Sequence, residues 1–173
     1  MANTYVKIAN ITVGSGGATT MEFTSIPSTY TDLLIKFSGR DTYAAAVHNI
    51  QMTFNNSSTG YTGKNIYSDG TSSGSGGSAS PNWMQGTFLN GATSTSNTFS
   101  SIEIYIPNYA GSSNKSVSFD AAVENNSTSS GGVSMWAGLW SNTAAITSIK
   151  FTSIDAATTS QYSTATLYGI KNS

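Results

Sequence analysis

An all-β fold, an antiparallel two-sheet β-sandwich of jelly-roll-like kind, is what this sequence predicts. Three observations carry the prediction. Apolar residues recur with a period of two over short runs, Gly, Ser, Asn and Thr turns separate the runs, and no long segment combines helical periodicity with caps. A strand that is apolar on one side needs a second layer to cover it, so one-sided strands imply two packed sheets. At 173 residues the chain fits a single domain over 1–173, long enough to bury roughly two-thirds of its unfolded surface in one core.

Each element can be justified in turn. Between Thr4 and Val13, Val6 and Ile8 lie on one phase and Ile11 and Val13 on the other, which predicts a strand with a bulge near Ala9 and Asn10. Gly14 to Gly17 makes a flexible turn, Met21 and Phe23 mark a short returning strand, and the two strands read as a hairpin. Pro27 to Asp32 is turn chemistry opening the run on which the rest is patterned. There Leu33, Ile35 and Phe37 share one face and Asp32, Lys36, Ser38 and Arg40 the other, with Leu34 the apolar exception. Val47 to Phe54 alternates with Ile50, Met52 and Phe54 inward. Asn55 to Ser80 is rich in turn residues, and its Gly/Ser tract at about 68–81 reads as a long loop. Asn82 to Leu89 is a short strand. Ile102, Ile104 and Ile106, then Val117, Phe119, Ala121 and Val123, give the clearest alternation in the chain. Val133 to Trp140 is apolar on both faces, which predicts a strand covered on both sides. Ile146 to Ile154 and Tyr162 to Ile170 complete the set, the last rich in Thr and Tyr.

Composition excludes several functions. Only 9% of residues are charged and the net charge is −1, with seven Lys and Arg scattered along the chain. No basic stripe exists for a phosphate backbone or an anionic bilayer, so neither nucleic acid nor membrane is an expected partner. Without cysteine there is no disulfide framework and no thiolate metal site. No stretch approaches the roughly 18 apolar residues of a membrane span. The opening Met1 to Lys7 lacks a basic segment followed by an apolar run, so no secretory signal is expected.

Catalytic constellations are equally scarce, and no enzyme activity or cofactor is expected. His48 is the only histidine and shares a phase with Ile50 and Met52, which predicts a packed or edge side chain rather than a metal ligand. No Gly-x-Ser-x-Gly elbow precedes a helix, and neither glycine tract continues as a phosphate loop. Asp120 and Glu124 on one strand stand about 13 Å apart, too far for paired-carboxylate glycoside hydrolysis. Glu103 and Asp120 fall on the outward phases of adjacent strands, where solvated charges explain them as well as a shared proton does. The aromatic residues Trp136, Trp140, Trp83, Tyr105 and Tyr109 are candidates either for stacking on sugar rings or for core and subunit-interface packing, the second being the commoner use.

Several short segments resemble small virion structural proteins of tailed bacteriophages. They are Pro27-Ser28-Thr29-Tyr30-Thr31-Asp32-Leu33 with Arg40 closing the strand, the Phe54-Asn55-Asn56 to Tyr61 turn, Ile106-Pro107-Asn108-Tyr109-Ala110 with Lys115 after it, and Ala165-Thr166-Leu167-Tyr168-Gly169-Ile170. The resemblance implies a jelly-roll or related sandwich in a phage particle, commonly a homotrimer, serving as capsid decoration or cement, as a head fibre or as a tail-associated module that binds host-surface glycan or a receptor. Its implied partners are copies of itself, the major capsid protein and other virion proteins. Synthesis in the host cytoplasm and release by lysis within a virion would reconcile a hydroxyl-rich surface with the absence of an export signal. The resemblance carries no catalytic residues, and Asn56 departs from the acidic Gly-Asp turn, with any ion binding there, that it implies.

Overall fold

A computed structural model describes residues 4–79, 82–126 and 131–171. They form twelve strands and no helix: β1 Tyr5–Thr12, β2 Thr20–Phe23, β3 Asp32–Gly39, β4 Val47–Phe54, β5 Tyr61–Ser68, β6 Ser73–Ser78, β7 Met84–Asn90, β8 Ser100–Ile106, β9 Lys115–Val123, β10 Gly132–Trp140, β11 Ile149–Ser153 and β12 Thr164–Ile170. Eight make one sheet in the order β1-β12-β3-β8-β9-β10-β5-β6, and four make the other in the order β2-β11-β4-β7. Every strand pairing within the two sheets is antiparallel. The two-sheet sandwich is therefore as the alternation predicts.

One-sided strands build the core as expected. Leu33, Ile35 and Phe37 of β3, with Ile102, Ile104 and Ile106 of β8, face Ile50, Met52 and Phe54 of β4 and Phe151 of β11, all of them buried. Contact between the layers is direct: the Phe37 and Phe151 rings lie 5.4 Å apart, and Trp140 of β10 lies 5.5 Å from Phe54. Each such side chain contributes about 1.5–3 kcal/mol on burial, so this interface dominates the stability of the fold.

Three expectations need correction. The β1 and β2 strands do not form a hairpin, because β1 pairs with β12 in the large sheet and β2 with β11 in the small one. Alternation reveals which face of a strand is buried but not which strand lies beside it. The bulge within β1 does occur, with the register slipping between Lys7 and Ala9. Most of the Gly/Ser tract at about 68–81 is not loop either: β5 and β6 form a hairpin closed at Asp69 and Ser72, and β5 pairs along its whole length with β10. Ladder hydrogen bonds ask for backbone groups rather than side chains, so the edge of β5, itself paired with β10, supplies to β6 what composition does not. Ser80 and Pro81, at the end of that tract, lie outside the described residues. Finally, β10 is covered on one side only, its outer face lying open.

Polar knots close one end of the sandwich. Asp32, buried at the start of β3, accepts from the Tyr105 hydroxyl and from the Asn108 N–H, each at 2.8 Å. The Tyr109 hydroxyl donates to the Pro27 carbonyl, and the buried Lys115 ammonium donates to the carbonyls of Gly111 (2.7 Å) and Ser113. Asn55 and Asn56 both adopt left-handed backbone, which asparagine tolerates. That turn aims the Asn55 amide at Ala145 O (2.7 Å), Thr147 N (2.8 Å) and Ser148 N (3.1 Å). Gly169 is required for a different reason, since a Cβ there would stand 2.3 Å from the Tyr30 ring lying across it. The Thr31 N–H donates to Ile170 O at 2.8 Å and completes the closure.

The knots make stability sensitive to alkali. Burial pushes the Tyr61 and Tyr109 phenols up, and the bond to Asp32, followed by burial, pushes Tyr105 up. The unfolded chain then releases these protons first, so stability is expected to fall as pH rises through about 10 and beyond. Burial holds the Lys115 ammonium below its ordinary value, and its contribution has the opposite sign, rising towards pH 10.5 as the fold sheds that proton first. Three phenols outweigh one amine. Urea unfolding at pH 9, 10 and 11, with tyrosinate absorbance followed alongside, checks this: a midpoint that does not move above pH 10 would contradict it.

Candidate functional site

Of the five aromatic candidates, three are withdrawn from any surface role. Trp136 and Trp140 stand on the inner face of β10, 6% and 1% exposed, and Trp140 stacks on Tyr61 with ring centroids 6.2 Å apart. Tyr109 is fully buried with its hydroxyl on Pro27. A sugar-stacking platform made of these side chains is excluded by burial, and core packing is their use. Tyr105 is half-buried on the outer face of β8, its hydroxyl committed to Asp32, and Trp83 is half-buried just before β7.

Asp32, Asp41, His48 and Lys115 are titratable side chains buried in the fold. Glu103 and Asp120 stand directly opposite each other on β8 and β9, and Lys36 of β3 pairs with Glu103, so Glu103 has a cation for a partner. His48 is packed at 5% exposure between two carboxylates. Its Nδ1 lies 2.5 Å from Asp41 Oδ2 and its Nε2 lies 3.4 Å from Asp155 Oδ2, while Tyr43 stacks on the ring at 3.9 Å. Asp41 also accepts from the Tyr43 N–H at 3.1 Å. Asp155 and Ala156 are both left-handed, a rare backbone that turns the Asp155 loop back over the ring. With a carboxylate at each nitrogen the ring donates at both only as an imidazolium. The two acids occupy opposite ends of the ring and share no common point, and among the described residues no group of three or more His, Asp or Glu side chains is placed to hold a metal ion. No serine hydroxyl bonds either ring nitrogen among the described residues.

What remains is a surface. The small sheet covers the inner face of the large one, and across the outer face runs a row of cross-strand neighbours, Lys36, Glu103, Asp120, Met135, Ile66 and Ser75. In the charged half of the row Lys36 pairs with Glu103, while Asp120 has no ion-pair partner among the described residues. The other half, Met135 opposite Ile66 with Val133 two residues along, leaves three large apolar side chains each 59% exposed. Sequence reading found Val133 and Met135 but assigned them a covering layer, and it missed Ile66 altogether. The alternation of Tyr61, Gly63, Asn65 and Tyr67 against Thr62, Lys64, Ile66 and Ser68 was the available signal.

No family model matches the chain, and no curated protein and no solved structure matches it.

Proposed function

We propose that the chain is a non-enzymatic structural protein of a tailed-bacteriophage virion, a capsid decoration or cement protein that assembles as a homotrimer on the head. The observation that carries the proposal is the open outer face of the large sheet, apolar at its middle, where Ile66, Val133 and Met135 are exposed. Such a face works by being covered, and a protein that binds only the assembled shell stabilises that shell by mass action. Support also comes from the phage-like segments. Pro27–Leu33, the Asn55 turn, Ile106–Ala110 with Lys115, and Gly169–Ile170 are scattered along the chain but interlock at one end of the sandwich, as a set retained for one architecture would.

Quantitative mass spectrometry of purified particles carrying the gene tests the proposal. Hundreds of copies per particle are expected for a head protein, and none would overturn the reading. A handful would favour the tail or a head fibre, where the exposed Tyr5 and Tyr162, 57% and 70% accessible, are left to stack on host glycan in place of Trp136 and Trp140.

A further inference from the structure

We infer that the strip formed by Ile66, Met135 and Val133 is the face through which one copy of this chain binds a second. The inference goes beyond the proposed trimer: a face that meets its own copy reciprocally joins two copies about a two-fold axis, a contact additional to those of a three-fold assembly. An outward sheet face in contact with water is ordinarily polar, yet here the side chains alternating with the buried Ser134 and Trp136 are valine, methionine and alanine. Ala122 lies opposite Val133, and Ala137 extends the strip along β10. Beyond Ile66 the last strand presents only Ser73, Ser75 and Gly77 on this side, with the Lys64 side chain lying across Gly77, so a neighbour reaching the sheet edge meets small residues and that one ammonium.

Charge identifies the occupant. On one flank of the strip Asp120 stands opposite Met135, and on the other Lys64 stands opposite Ala137, two strands or about 10 Å away. Both are exposed, and neither has an ion-pair or hydrogen-bond partner among the described residues, whereas the adjacent Lys36 and Glu103 are joined. A strip with a carboxylate on one side and an ammonium on the other is complementary to itself. A second copy brought in with its Lys64 flank against the first copy's Asp120 flank pairs both charges and buries Ile66 and Met135 between them. The flanks are too sparsely basic for nucleic acid or an anionic bilayer.

Sedimentation velocity of the purified full chain over a range of concentrations tests this. Self-association is expected. Met135→Asp is expected to abolish it and to lower the unfolding midpoint only slightly, because the side chain is already exposed and the one new cost is the like charge of Asp120 opposite. Lys64→Glu is expected to weaken it about tenfold, and Lys64→Glu combined with Asp120→Lys to restore it. A monomer at every concentration leaves the face to a different protein and overturns the inference. So does an oligomer indifferent to Met135→Asp, or a charge swap that fails to rescue, though both of these leave the virion reading standing. Copy number per particle is measured separately, so the two proposals fail separately.

Discussion

Replacement of His48 by alanine is expected to lower the unfolding free energy by about 3–5 kcal/mol. Among the described residues the imidazole is the only cation-capable group against Asp41, whose side chain has no solvent exposure, and without it Asp41 Oδ2 loses its partner while Oδ1 keeps the Tyr43 N–H. Water that enters the space left behind must displace Tyr43, which stacks over the ring. Removing the charge together with the ring separates the two effects. His48→Leu with Asp41→Asn leaves no buried ion and is expected to be clearly more stable than His48→Ala, since breaking one partner of a buried pair costs more than replacing both. Urea unfolding of His48→Leu, Asp41→Asn and the double variant closes the cycle, with His48→Ala measured beside them. A loss below about 1 kcal/mol for His48→Ala would mean that Asp41 is satisfied without the ring, and the structural role given to the pair would fall.

The histidine also shows where sequence reading stops. Its strand phase and its burial were legible, because Ile50, Met52 and Phe54 alternate on the same side. Its partners were not. Asp41 precedes it by 7 residues across a turn with no periodicity, and Asp155 lies 107 residues away on a loop whose left-handed backbone no composition announces. The same division holds throughout the fold. Strands such as β3, β8 and β9 announced themselves because one face of each is buried, and burial is what hydrophobic alternation records. The β5–β6 hairpin did not, because Gly and Ser contribute backbone hydrogen bonds and nothing to the apolar pattern. The outer strip was half visible. An apolar outward face on β10 can mean a third layer or a missing partner, and only the three-dimensional arrangement, in which nothing covers Met135, separates those meanings.

Arg40 offers a second large effect, at the opposite end of the sandwich from the Asp32 knot. The chain leaves the small sheet at Asn90 and enters the large one at Ser100, and Arg40 holds the intervening crossover by its carbonyls. Its Nη1 donates to Thr95 O (2.8 Å) and Thr98 O (3.2 Å), and its Nη2 to Ala92 O (3.1 Å) and Ser94 O (3.0 Å). Four acceptors converging on one planar fork is a geometry that guanidinium meets and ammonium does not. Arg40→Ala is therefore expected to cost about 2–3 kcal/mol, less than the sum of four charge-assisted bonds because part of the site is wet and the released carbonyls can bond water. Arg40→Lys is expected to recover little of that loss, since a compact ammonium reaches at most two of the four carbonyls. Amide hydrogen exchange should accelerate over residues 91–99 in both variants while the strands of the core keep their protection, because the tie fixes the crossover rather than the packed layers. If Arg40→Lys unfolds at the wild-type midpoint, a point charge suffices there and the fork geometry contributes nothing; if exchange in 91–99 is unchanged, the crossover is held by its own turns, Ser94 N to Gly91 O and Thr98 N to Thr95 O, without help from Arg40.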